Sequence, residues 1–211
     1  MRTKSNLTDR ATLSLLSLLE DDHQMTQRGL ATRIGIALGL TNSLIKRAVR
    51  KGLVKVSQAP AKRFAYYITP KGFNEKSRLV GEYLSSSLEF FRQARDEYTS
   101  VCQDLKSQGH RRIVLFGAGE ISEIATMSAR DSEVDVLAII QLGSNQKQQS
   151  EVPVVSNLDE MLALDFDAVV ITSADTPQDA YNVLREHFND EQIFMPPLLH
   201  VSRFKAEEDK R

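Results

Sequence analysis

Charge in this chain is sorted by position, and that sorting is hard to reconcile with a single compact body. Residues 1–80 carry 15 Lys or Arg against 5 Asp or Glu, residues 81–110 carry 3 against 5, and residues 111–211 carry 9 against 18. The three segments net +10, −2 and −9, which the overall formal charge of −1 conceals. At 211 residues the chain is long enough for one large domain or two small ones, and the break favours two. A localised basic surface that neutralises phosphates releases the counterions condensed on them, so the first segment has the electrostatic footprint of nucleic-acid binding. The acidic segment is repelled by the same partner.

Composition excludes several classes. Hydrophobic residues make up 41% of the chain, enough for packed cores. There is no run of about 18 apolar residues to span a bilayer. Asp9 and Glu20 bracket the first apolar stretch, unlike a signal peptide, so a cytoplasmic chain with no membrane partner is expected. Cys102 is the only cysteine, which excludes an intrachain disulfide and a thiolate zinc site. It reads as a small packing residue, with a redox switch as the alternative.

In the basic segment, leucines at 13, 15, 16, 18 and 19 cover a broad helical face, with Thr8 or Asp9 placed to cap it. Thr26 is a plausible N-cap for a second helix with Leu30, Ala31 and Ile34 on one face and Gly35 as its stop. A third pattern runs from about Gly39 to Lys51 with Leu40, Leu44, Ile45 and Val49 expected inward. Two short helices joined by a tight Gly-containing turn, the second polar outside, form the helix-turn-helix pattern. The expected outer face of that second helix carries Thr41, Asn42, Lys46, Arg47 and Arg50. Short polar groups near its start suit base edges, and the long cations suit phosphates. An ordinary solvated face is the alternative, and the basic hairpin next in the chain weighs against it. Leu53–Ser57 and Phe64–Ile68 alternate as the two strands of that hairpin, whose tip carries Lys62 and Arg63, able to reach a phosphate or minor groove. Thr69-Pro70 then signals a new helix start.

Three helices, a hairpin and a fourth helix make a winged helix-turn-helix plan. Residues 8 to about 98 resemble the MarR-type winged helix regulators, particularly a subgroup associated with exopolysaccharide genes. The resemblance is carried by Thr26-Gln-Arg-Gly-Leu-Ala, Leu38-Gly-Leu-Thr-Asn-Ser-Leu-Ile-Lys-Arg, Arg50-Lys-Gly-Leu-Val-Lys-Val and Tyr67-Ile-Thr-Pro-Lys-Gly-Phe. It implies double-stranded DNA as partner and control of transcription. From Pro70 to about Gln108 no further proline occurs, so one long helix or two in tandem are expected, with an apolar seam from Leu79 through Tyr83, Leu84, Leu88 and Phe91 to Leu105. In the resembled regulators terminal helices pair two subunits, which implies a homodimer. Packing of the seam on the chain's own second domain is the alternative.

In the acidic segment, Arg111-Arg-Ile-Val-Leu-Phe-Gly-Ala-Gly-Glu-Ile-Ser reads as a buried strand, a Gly-rich turn and a helix. Gly117, Gly119 and Ser122 occupy the three positions of the dinucleotide fingerprint. The next strand, Asp135–Ile140, ends in Gln141 and Leu142, with no carboxylate for ribose hydroxyls and no arginine for a 2′-phosphate. Glu120 and Glu123 at the helix start repel phosphate as well. Strands at Val152–Val155, Asp167–Ser173 and Glu191–Met195, with helices between, complete a small parallel sheet. Residues 112 to about 195 resemble the Rossmann-like N-terminal domain of sugar O- and N-acyltransferases, on Phe116-Gly-Ala-Gly and Asp167-Ala-Val-Val-Ile-Thr. A bound small molecule is expected near Gly117, Gly119, Ser122, Thr172, Ser173 and Asp175. Turns and caps are the other use for these residues.

The fold class expected is thus an α+β winged helix-turn-helix domain at 1–76, a connecting and dimerising helix at 77–109, and a small α/β Rossmann-like sensor domain at 110–211. The four histidines fall in separate elements and Cys102 has no evident base, so neither a metal site nor catalysis is expected. The cofactor is undefined: a nucleotide, nucleotide-sugar or CoA fits the resemblance, and none is required. The function expected is a DNA-binding transcriptional regulator with a sensing or interaction domain and a small-molecule effector. Its rivals are an NAD(H)-responsive repressor and a nucleotide-sugar- or CoA-dependent enzyme tethered to a DNA-binding domain.

Overall fold

The computed structural model describes residues 2–59, 63–143 and 151–203. The chain divides into two compact units, Met1–Leu88 and Glu89–Arg211. The first is built from α1 (Arg2–Asp21), α2 (Gln27–Ile34), α3 (Leu38–Arg50), the antiparallel pair β1 (Val54–Ala59) and β2 (Arg63–Ile68), and the start of α4 (Pro70–Ser107). Leu15, Leu16 and Leu19 of α1 pack with Leu30, with Leu44, Ile45 and Ala48 of α3, and with Val54 and Tyr66 of the hairpin.

Local chemistry sets the element ends. Thr26 Oγ1 accepts from the Gly29 N–H at 3.0 Å, and Gly35 closes α2 with φ 76 and its N–H on the Ala31 carbonyl. Thr8 and Asp9 do not cap α1, which runs back to Arg2. Instead the Thr12 hydroxyl donates to the Thr8 carbonyl inside the helix. Thr69 Oγ1 accepts from the Gly72 N–H at 3.1 Å and donates to the Gly52 carbonyl at 2.6 Å, tying the start of α4 to the end of α3. A Cβ at Gly72 would lie 2.1 Å from the Leu53 carbonyl oxygen, so only glycine lets α4 approach the root of β1 this closely.

The second unit holds a five-stranded parallel sheet in the order β5 (Val154–Val155), β4 (Asp135–Ile140), β3 (Arg112–Phe116), β6 (Ala168–Ile171), β7 (Ile193–Phe194). In order of occurrence these read 3-2-1-4-5, the doubly wound pattern with its switch point between β3 and β6. One face packs α5 (Glu120–Asp131) and the C-terminal half of α4 through Ala94, Tyr98, Val101, Cys102 and Leu105. The other packs α7 (Pro177–Leu184) and Met161 of α6 (Leu158–Leu162). Asn157 caps α6 by accepting from the Glu160 N–H at 2.8 Å, whereas Thr176 precedes α7 without a side-chain cap.

The long apolar seam of α4 therefore divides into two parts. Its C-terminal half is covered by the sheet domain, while Tyr83, Leu84, Leu88 and Phe90 remain 44–53% exposed.

One carboxylate clips the sheet at its entry. Asp167, just before β6, accepts from the Arg111 and Arg112 N–H groups at 2.8 Å each. These two bonds hold its carboxyl below the usual carboxylate range.

Substitution tests both contacts. Gly72→Ala is expected to lower stability by roughly 1–3 kcal/mol in urea unfolding, although in an unobstructed helix the same change stabilises by up to about 1 kcal/mol. Because its folded-state pKa is depressed, Asp167 contributes stability above about pH 4 that is lost as pH falls through the lower folded value. Asp167→Asn is therefore expected to be less stable than the parent at pH 7, with the gap closing in urea titrations below pH 4.

Candidate nucleic-acid interface

The face of α3 that turns outward is set by the face that is buried. Thr41, Leu44, Ile45 and Ala48 point into the first unit, and Thr41 is fully buried with its hydroxyl donating to the Ala37 carbonyl at 3.2 Å. This corrects the expected outer face: Thr41 reaches no groove. Leu40 and Val49, expected inward, are 58% and 37% exposed. The physical reason is that α1 and the hairpin root seat against the 41/44/45/48 stripe, rotated from the stripe that leucine and valine spacing marks.

Lys46, Arg47 and Arg50 are exposed together on the outer side. Asn42 is half-buried, and its Oδ1 is the one buried side-chain polar atom without a hydrogen-bond partner among the described residues. Leaving such an acceptor unpaired costs about 1–3 kcal/mol. Lys62 lies outside the described residues, and of Arg63 only the backbone is described, paired with Ala59 at the tip of the hairpin.

Between α3 and the hairpin runs a cleft of about 320 Å³ lined by Lys46, Val49, Arg50, Val56, Phe64 and Tyr66, among others. Alternation along the strands places Val56 and Phe64 on the same side as the buried Val54 and Tyr66. Beyond the core these side chains emerge as a half-exposed apolar floor beside two cations. The hairpin is anchored to the α1–α2 corner by the Tyr66 N–H on the His23 carbonyl and by Gln27 Nε2 donating to the Tyr66 hydroxyl, both at 2.8 Å. Sequence reasoning missed this apolar floor, although the strand alternation contains it.

Of the residues expected to hold a small molecule, Gly117, Thr172 and Ser173 meet where β3 and β6 end, and Gly119 is bonded to Ser122. Gly117 follows β3 with φ 116, and a Cβ there would lie 2.4 Å from the Ser173 N. The turn thus rests directly on the end of β6. The Thr172 hydroxyl donates to the Gly117 carbonyl at 2.5 Å, and Thr172 and Ser122 are both buried. Ser173 is half-exposed and Asp175 exposed.

The turn's donors are already engaged. The Gly117 N–H bonds the Ile140 carbonyl at 2.8 Å, the Ala118 N–H bonds Gln141 Oε1 at 2.8 Å, and the Gly119 N–H bonds Ser122 Oγ at 3.1 Å. Gln141, which stands where a ribose-binding carboxylate is expected, folds back onto the amide that a pyrophosphate would use. Behind the sheet, the buried Tyr98 hydroxyl donates to the Ile171 carbonyl at 2.8 Å, and burial pushes its phenol well above the usual value. Burial likewise pushes the Cys102 thiol up to about 11, which suits a packing residue and not a reactive thiolate. Among the described residues no group of three or more His, Cys, Asp or Glu side chains could hold a metal ion, and no helix is long and apolar enough to cross a membrane.

Because the three amides are occupied, NADH is expected to show no saturable binding up to millimolar concentration by calorimetry. Gain of nucleotide affinity in Gln141→Ala would identify that side chain as the obstruction.

Residues 8–55 match a family described as winged helix-turn-helix DNA-binding, so the N-terminus carries such a domain. A search of curated proteins returns no match. Among solved structures, PigF with SAH is similar at 16% identity and a TM-score of 0.30, over 92% of this chain and 71% of that one. A second is N,N-8-amino-8-demethyl-D-riboflavin dimethyltransferase (RosA) from Streptomyces davawensis, at 12% identity and a TM-score of 0.34, over 92% of this chain and 77% of that one.

Proposed function

We propose that this chain is a homodimeric, sequence-specific transcriptional regulator that binds double-stranded DNA through its winged helix-turn-helix unit. The observation that carries the reading is the outward face of α3, where Lys46, Arg47 and Arg50 stand exposed within the segment that matches a DNA-binding family. Arg47 and Arg50 hold phosphates, with Lys62 and Arg63 adding to them. Lys46 approaches base edges, and rotation of the Asn42 amide toward the groove relieves its unpaired acceptor. The apolar floor between α3 and the hairpin accommodates deoxyribose faces while Lys46 and Arg50 neutralise the adjoining phosphates.

Pairing of two copies along the exposed Tyr83, Leu84, Leu88 and Phe90 stretch of α4 covers large apolar side chains that otherwise meet water, and presents two reading helices to a symmetric operator. We read the acidic domain as a non-catalytic sensor or interaction module. A small-molecule effector there would meet Ser173 and Asp175 at the switch point, not the occupied amides of the turn. The resemblance to MarR-type regulators of the exopolysaccharide-associated subgroup supports control of polysaccharide or envelope genes as the finer reading.

Selection of duplexes from a random pool by the full chain is expected to return inverted half-sites about one helical turn apart, and single half-sites with the Leu84→Glu, Leu88→Glu double variant. Arg47→Ala and Arg50→Ala are each expected to weaken binding and to reduce the slope of log affinity against log salt by about 0.9. An unchanged slope in both would make this face an ordinary solvated one.

A further inference from the structure

We infer that the N-terminal turns of α3 read DNA by apolar contact, with Leu40 set against the C5 methyl of a thymine in the major groove. The inference rests on the DNA-binding reading above and specifies its chemistry. Reading helices of this class place their N-terminal residues at base edges. In α3 that region has almost no polar group to offer. Thr41 is buried and the Ser43 hydroxyl donates back to the Gly39 carbonyl at 3.0 Å, which leaves the half-buried Asn42 as the one polar side chain there. What stands outward is Leu38, 41% exposed, and Leu40, 58% exposed. Between them Gly39 faces open space. The helix carries no acidic residue, so it has no carboxylate to accept from a cytosine amino group.

In the major groove of unmodified DNA the thymine methyl is the one apolar feature a base pair presents. A leucine that is idle in the free protein finds its complement there. Leu40, Ser43 and Arg47 also share one side of the helix at three- and four-residue steps, so the methyl contact lies in line with a cation that fixes the register.

The test compares a duplex selected by the full chain with the same duplex carrying uracil in place of every thymine, which deletes only the methyl groups. Affinities are measured by fluorescence anisotropy for the parent and for Leu40→Ala, whose substituted side chain lies outside the core. The parent is expected to bind the uracil duplex at least about fourfold more weakly, the value of one buried methyl. Leu40→Ala is expected to lose a similar factor on the thymine duplex and to distinguish the two duplexes no longer. An equal uracil penalty in both proteins would assign the effect to DNA shape and overturn the inference, as would no penalty at all. Either result leaves DNA binding standing. If the full chain retards no duplex, the DNA-binding reading and this inference fall together.

Discussion

The interaction on which the rest depends is the seating of α3 against α1. Leu15, Leu16 and Leu19 meet Leu44, Ile45 and Ala48 in one continuous core, and a fully buried leucine of this kind stabilises by about 1.5–3 kcal/mol. A helix is a rigid template with 3.6 residues per turn, so burying one stripe dictates the opposite one. Lys46, Arg47 and Arg50 are outward because Ala48 and Ile45 are inward. Rotation by a single residue would carry a cation toward the leucines and forfeit the core. The orientation of the basic face is therefore enforced by apolar burial, not by attraction between charges.

The acidic domain shows the converse case, in which local hydrogen bonds engage the groups that the strand order brings together. In the strand order 3-2-1-4-5 the connections diverge between β3 and β6, and Gly117, Thr172 and Ser173 meet there. Yet the amides that would grip a pyrophosphate are held by Ile140, Gln141 and Ser122. A backbone donor already paired at 2.8 Å gains little by exchanging partners, since only the difference between two hydrogen bonds is available to a ligand. The architecture is a doubly wound parallel sheet, and beyond the engaged turn it leaves Ser173 half-exposed and Asp175 exposed.

Helix α4 combines both kinds of logic in 38 residues. Its first turn is locked by Thr69 and Gly72 against the root of the hairpin, and its last four turns are part of the sheet domain's core. The stretch between keeps four large apolar side chains exposed. Charge along the chain is segregated as +10 before residue 81 and −9 after residue 110, so the potential that attracts a polyanion is confined to the first unit.

Much of this was legible in the sequence because it is decided within a few residues. Thr26 and Thr69 cap helices as their positions promise, Gly35 stops α2, and Phe116-Gly-Ala-Gly turns from strand to helix. Alternating strands and helices determined the parallel sheet. The failures share one cause. Spacing alone put Leu40 and Val49 inside and Thr41 outside, but inside is defined by what packs opposite, and α1 chose the other stripe. Spacing gives the Gly-rich turn no partner for its amides, and one of them is taken by Gln141, 23 positions away from Ala118. For the seam of α4 spacing left pairing of subunits and packing on the second domain both open, and the sheet domain takes its C-terminal half. The sequence by itself determined the elements, their caps and the sorting of charge. Only the tertiary structure decided which faces are buried and which donors are taken, because burial and pairing belong to contacts between segments far apart in the chain.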